Sequence, residues 1–149
     1  MNTLIHKALL PFLLFMSMSA EALAEEPNAA EEADCTGTFS NMYYNLEAGD
    51  LLGEEIKIVV GARREKESYP LIGIFQMAVG APFDPVLVDV RCEKNEIEFV
   101  LPKSKIGAGV FRGRVSDKGI HGTLTHSPEV KREIDLPRRA SYWDDPISQ

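Results

Sequence analysis

The chain has 149 residues, 44% hydrophobic, 26% charged and 8% aromatic, a composition that excludes disordered, collagenous and coiled-coil proteins and leaves room for one globular domain. Its 16 basic and 23 acidic side chains give a formal charge of -7, which argues against nucleic acid and against anionic membranes as partners.

Residues 1–24 place Lys7 before the apolar run 8–16 and end on the small residues Ala22 and Ala24, the pattern of a secretory signal peptide cleaved after Ala24. The apolar run is about half the ~20 residues that a bilayer span needs, so no membrane insertion is expected after cleavage. The product is expected in the periplasm or outside the cell. Residues 25–34 are acidic and hold no large apolar side chain, so burial cannot offset the entropy of ordering them. They are expected to form a disordered tail ahead of a single domain over residues 35–149.

Cys35 and Cys92 are the only cysteines, and an even count in an exported chain predicts one disulfide. It would close a loop of 92 − 35 + 1 = 58 residues. No Cys-x-x-Cys pair and no neighbouring histidines suggest a redox or metal role.

From Cys35 onward, short runs rich in Val, Ile, Phe and Tyr alternate with Gly, Pro, Asp and Asn, the pattern of a small all-β domain. Residues 36–44 form the first expected strand. Residues 47–55 follow as an acidic loop. Ile56, Ile58 and Val60 then alternate along a strand that ends at Gly61 and the charged turn 63–67. Residues 69–79 form the next strand, with Gly73 marking a bulge or close backbone approach, and 81–85 stop it. Residues 86–92 put Val86, Val88, Val90 and Cys92 on one face, and Lys94-Asn95 turns that strand into 97–101. A second hairpin joins 110–115 to 120–125 through 116–119, and 133–136 is a candidate last strand.

Seven or eight sequential strands with short connections predict a small antiparallel up-and-down β-barrel, with a two-sheet β-sandwich as the alternative. Phe39, Ile58, Phe75, Val88, Phe99 and Phe111 are the large residues expected to crowd its interior. Crowding leaves less room for a ligand, although eight strands are enough to enclose one.

No Gly-x-Ser-x-Gly elbow, His-Glu-x-x-His, Walker loop or Gly-x-Gly-x-x-Gly is present, so no catalytic residue, metal or cofactor is expected. Asp89, Glu98 and His121 are the one set to inspect for an enzyme. His121 and His126 are five apart, which puts them on opposite faces of a strand that runs through both, so they are not expected to share a metal. The acidic residues Glu47, Asp50, Glu54 and Glu55, with Leu51 and Leu52 among them, suggest a partner-binding loop, and its spacing fits no EF-hand. Tyr44 lies beside that loop. Trp143, the only Trp, either anchors the C-terminal segment or stands out as a contact residue.

In general outline the chain is similar to the exported bacterial lysozyme inhibitors and periplasmic immunity proteins, compact β-domains that block an enzyme. That similarity is one of class and implies no site residues. The expectation is an exported, non-catalytic protein-binding module whose partner is a basic protein of the cell envelope, since negative charge speeds encounter with a positive cleft. A lipocalin-like carrier of a small ligand is the second expectation.

Overall fold

A computed structural model describes residues 32–62, 69–103 and 107–144. Nine strands appear in chain order: β1 (Gly37–Ser40), β2 (Tyr43–Asn45), β3 (Asp50–Val60), β4 (Leu71–Pro82), β5 (Val86–Glu93), β6 (Glu96–Leu101), β7 (Gly109–Ser116), β8 (Gly119–Ser127) and β9 (Val130–Pro137). A 3-10 turn over Tyr142–Asp144 follows. All pairings are antiparallel and run β1-β3-β4-β5-β6-β7-β8-β9, with β2 also on β3.

The sheet curls until its two ends meet. Phe39 of β1 bridges to Arg138, and the Arg139 amide donates to the Thr38 carbonyl at 3.1 Å. Below that point the Asn41 side-chain amide donates to the Asp135 carbonyl at 3.0 Å. The result is a nearly closed up-and-down barrel, the first of the two architectures expected, and not the sandwich. The first expected strand is in fact two, because β1 and β2 pair with different halves of β3 while keeping one register (Ser40↔Glu55, Tyr43↔Leu52).

The interior is filled. Phe39, Ile56, Ile58, Phe75, Val88, Phe99, Leu101, Phe111, Ile120, Leu124, Ile134 and Leu136 are all buried in one cluster. The Phe99 ring stacks on Phe111 at 4.8 Å and meets Phe75 at 5.8 Å between centroids. Such density is possible because Gly73 leaves space: a Cβ there would lie 2.8 Å from Val88 Cγ2 and 3.0 Å from Ile56 Cδ1. Gly73 therefore marks neither a bulge nor a close backbone approach: register runs unbroken through it, and side chains of the barrel core take up the space a Cβ would need.

Lys94 and Asn95 both take positive φ, 51° and 66°, the twist that lets a two-residue turn join β5 to β6. Nearby, Cys35 and Cys92 form the disulfide, with Cα atoms 6.5 Å apart. Residues 1–24, the signal peptide reading, lie outside the described residues, as do 25–31 of the acidic segment and 63–68 of the charged turn. Residues 32–34 correct the tail reading. Glu32 accepts from the Lys94 amide at 2.9 Å, the Ala33 amide donates to Asn95 Oδ1 at 2.7 Å, and Arg138 donates to the Asp34 carbonyl. Residues 32–34 are thus tied to the domain, because the β5–β6 turn and Arg138 supply hydrogen-bond partners for them.

Candidate functional site

The long strands create the site. β4 pairs with β5 only from Leu71 to Phe75, yet it stays paired with β3 as far as Gly80. β2, the first half of β3 and the second half of β4 therefore project past one end of the barrel as a three-stranded extension.

At its tip, Asn45 organises the turn between β2 and β3. Its side-chain oxygen accepts from the Glu47 amide at 3.1 Å and the Ala48 amide at 3.3 Å, and its carbonyl accepts from Gly49 at 2.8 Å. Leu46 has no place to go in so short a turn and is 86% exposed. Tyr43 and Tyr44 stand exposed on opposite faces beside it, and Glu47 is exposed at the turn. Residues Tyr43, Leu52 and Val79 share one face by register, and Tyr44, Leu51 and Gly80 share the other.

Two buried carboxylates hold the base of the extension. Glu54, 5% exposed, turns inward to an ion pair with Arg132 of β9, whose other nitrogen reaches Met77 Sδ. Asn41 accepts from the Glu54 amide at 2.7 Å, so the same residue links β3 to the barrel seam. Gly53, at φ +108°, lets Asn41 come this close, since a Cβ there would meet Asn41 Oδ1 at 2.7 Å. Glu55, 6% exposed, turns outward and accepts from Ser141 Oγ at 2.5 Å and the Tyr142 amide at 2.8 Å. These bonds seat the C-terminal strap over Met42, Leu51 and Ala78, with Arg139 donating to the Met42 carbonyl.

The structure thus divides the acidic segment 47–55. Only 46–49 is a turn, and β3 begins at Asp50, correcting the longer loop reading. Tyr44, Glu47 and Asp50 gather at the hairpin end. Leu51 is buried, Leu52 is half-buried, and Glu54 and Glu55 serve internal partners rather than solvent. Trp143 sits elsewhere, on the outward face of β4, where its indole N–H donates to Gln76 Oε1 at 2.7 Å. It is both tied down and 45% exposed.

Composition and spacing did not single out Tyr43, Leu46 or Val79 as surface residues. An isolated apolar residue between Asn45 and Gly49 was the available signal for Leu46.

The remaining polar groups do not form one centre. Glu98 bonds Arg112 at 2.6 Å, while His121 lies 3.9 Å from both Glu133 and Asp135, and Asp89 lies on a different rung of β5. The set Asp89, Glu98 and His121 is therefore not brought together. Arg91, Glu93, Glu96, Glu98, Arg112 and Arg114 line a surface cleft of about 450 Å³ on the outer side of β5–β7. Its charges alternate in sign and partly neutralise one another: Arg91 hydrogen-bonds Glu93, which lowers the Glu93 carboxyl pKa and raises that of Arg91. Among the described residues no cluster of three or more His, Cys, Asp or Glu fits a metal ion.

No family model, curated protein or solved structure matches the chain.

Proposed function

We propose that the protein is an exported, non-catalytic binding module that uses the β2–β3 hairpin to engage a basic protein of the cell envelope, in the manner of an enzyme inhibitor or immunity protein. The observation that carries the reading is the hairpin itself: exposed Tyr43, Tyr44 and Leu46 beside Glu47 and Asp50, on a base held by the Glu54–Arg132 and Glu55–Ser141 contacts. Aromatic and aliphatic anchors on a rigid support lose little entropy on binding, and adjacent carboxylates favour a cationic cleft. The net charge of -7 acts in the same direction at longer range. A carrier role has less support, because the interior positions that a ligand would need hold Phe75, Phe99 and Phe111.

The test is affinity capture from envelope extract with the wild-type protein, a Tyr44→Ala/Leu46→Ala variant, a Glu47→Gln/Asp50→Asn variant and a Glu96→Gln control. The expected result is a basic protein retained by wild type and control, released by high salt, and lost with either hairpin variant. A captured set that is indifferent to salt and to the hairpin substitutions overturns the reading.

A further inference from the structure

The outward face of the barrel is not uniform. Over β5–β9 it carries Arg91, Glu93, Glu98, Arg112, Arg114, His121, Glu133 and Asp135, as a water-facing sheet should. At the other end of β5 and β6, and across the adjoining rungs of β3 and β4, it is aliphatic instead. Register makes Val59 the neighbour of Ile72 and Ile74 the neighbour of Leu87, and Val100 follows one step beyond the Val90↔Phe99 pair. Leu87 is 70% exposed, and Val59, Ile74 and Val100 are also exposed. Trp143 borders this field, held to it by Gln76, which lies two residues from Ile74 on the same strand face.

Two charges interrupt the patch. Lys57 pairs in register with Ile74, and Asp89 pairs with Ile72, so they stand on opposite sides of β4, one rung apart. Both are exposed and neither has an ion-pair partner among the described residues. One positive and one negative charge placed on either side of a central strand make the surface complementary to itself. A two-fold axis lying in the contact plane and running between them brings Lys57 of each copy to Asp89 of the other, with the aliphatic side chains and the two Trp143 rings around them.

From this charge pattern we infer that the outer face of β3–β6 is the site where a second copy of this chain docks, forming a two-fold dimer. Trp143 and Leu87 are its anchors, and the Lys57–Asp89 pairs set its register. The β2–β3 turn of the proposed binding function lies at the opposite end of β3 from Val59.

The experiment is analytical ultracentrifugation of the protein purified from cells expressing the full chain, from about 1 μM to about 1 mM, read together with Trp143 emission. A monomer–dimer equilibrium is expected, with emission shifting to the blue as concentration rises. Leu87→Asp and Ile74→Asp, both outward-facing and so neutral to the core, should weaken the dimer by on the order of tenfold or more. Lys57→Asp and Asp89→Lys should each weaken it, and the double exchange should restore it. A chain that stays monomeric across the whole range overturns the inference. So does a dimer that ignores Leu87→Asp, or one that the double exchange fails to restore.

Discussion

Single residues decide how the barrel end is held. Glu54 is enclosed, and its charge is met by Arg132, so Arg132→Ala leaves a carboxylate without a partner in a site that water reaches poorly. A loss of about 3 kcal/mol is expected, at the low end for a broken buried pair because Arg132 is itself half-exposed. Urea unfolding checks it, and Glu54→Gln/Arg132→Met should recover most of the loss, since no charge is then left alone. Gly73 is a second such position. Gly73→Ala forces Val88 and Ile56 to move and should cost about 1–3 kcal/mol, visible as a lower thermal midpoint. Asp34 bears on the response to acid. Bonds from the Thr36 amide and hydroxyl, both 2.8 Å, hold its carboxyl below the ordinary value. A group depressed in the folded state stabilises above its unfolded pKa of about 3.9, and that contribution disappears as pH falls through the lower folded value. Asp34→Asn should therefore lower stability at neutral pH and flatten the decline below about pH 4, measured by denaturation across that range.

At the scale of elements, the strands follow from the chain's own alternation and the strap does not. Val86, Val88 and Val90 face inward as the period of two requires, and the turn at Lys94-Asn95 is where two polar residues between alternating runs predict it. By contrast, Glu55 occupies a strand position that alternation assigns to solvent. It is buried because residues 141 and 142, 86 and 87 positions later, fold back onto it. Ser141→Ala should remove one donor from that carboxylate and cost about 1–2 kcal/mol. A red shift of Trp143 emission should accompany it, because loosening the strap weakens the bond from the indole to Gln76. Unchanged emission and stability would mean that the apolar contacts with Met42, Leu51 and Ala78 alone keep the strap seated.

Among the described residues the barrel has an apolar interior and, over β7–β9, a charged outer face, the reverse of a barrel built for lipid. Its one covalent constraint joins Cys35 to Cys92 across 57 positions of sequence. In the chain-entropy model, closing a loop of that length stabilises by about 4 kcal/mol, a large share of the 5–15 kcal/mol typical of domains. Cys35→Ser/Cys92→Ser should lower the urea midpoint accordingly without abolishing the barrel, as strand circular dichroism at low denaturant would show. The filled core and the unbroken register from β3 to β9 are the reason to expect the fold to survive.

The sequence by itself determined the strands from Ile56 to Leu136, the disulfide pair and the inward row from Phe39 to Phe111, because each depends on local alternation, on turn chemistry or on there being just two cysteines. It placed Glu47 and Asp50 near a turn for the same reason. Only the tertiary structure decided that Glu54 and Glu55 belong to the scaffold rather than to the surface. Their partners, Arg132 and Ser141, lie 78 and 86 residues away, and no periodicity carries information over that distance. The same holds for the aliphatic field over β3–β6 and for Trp143 at its border. Each of those residues is an ordinary strand or strap residue in isolation, and they become one surface only when register sets four strands side by side.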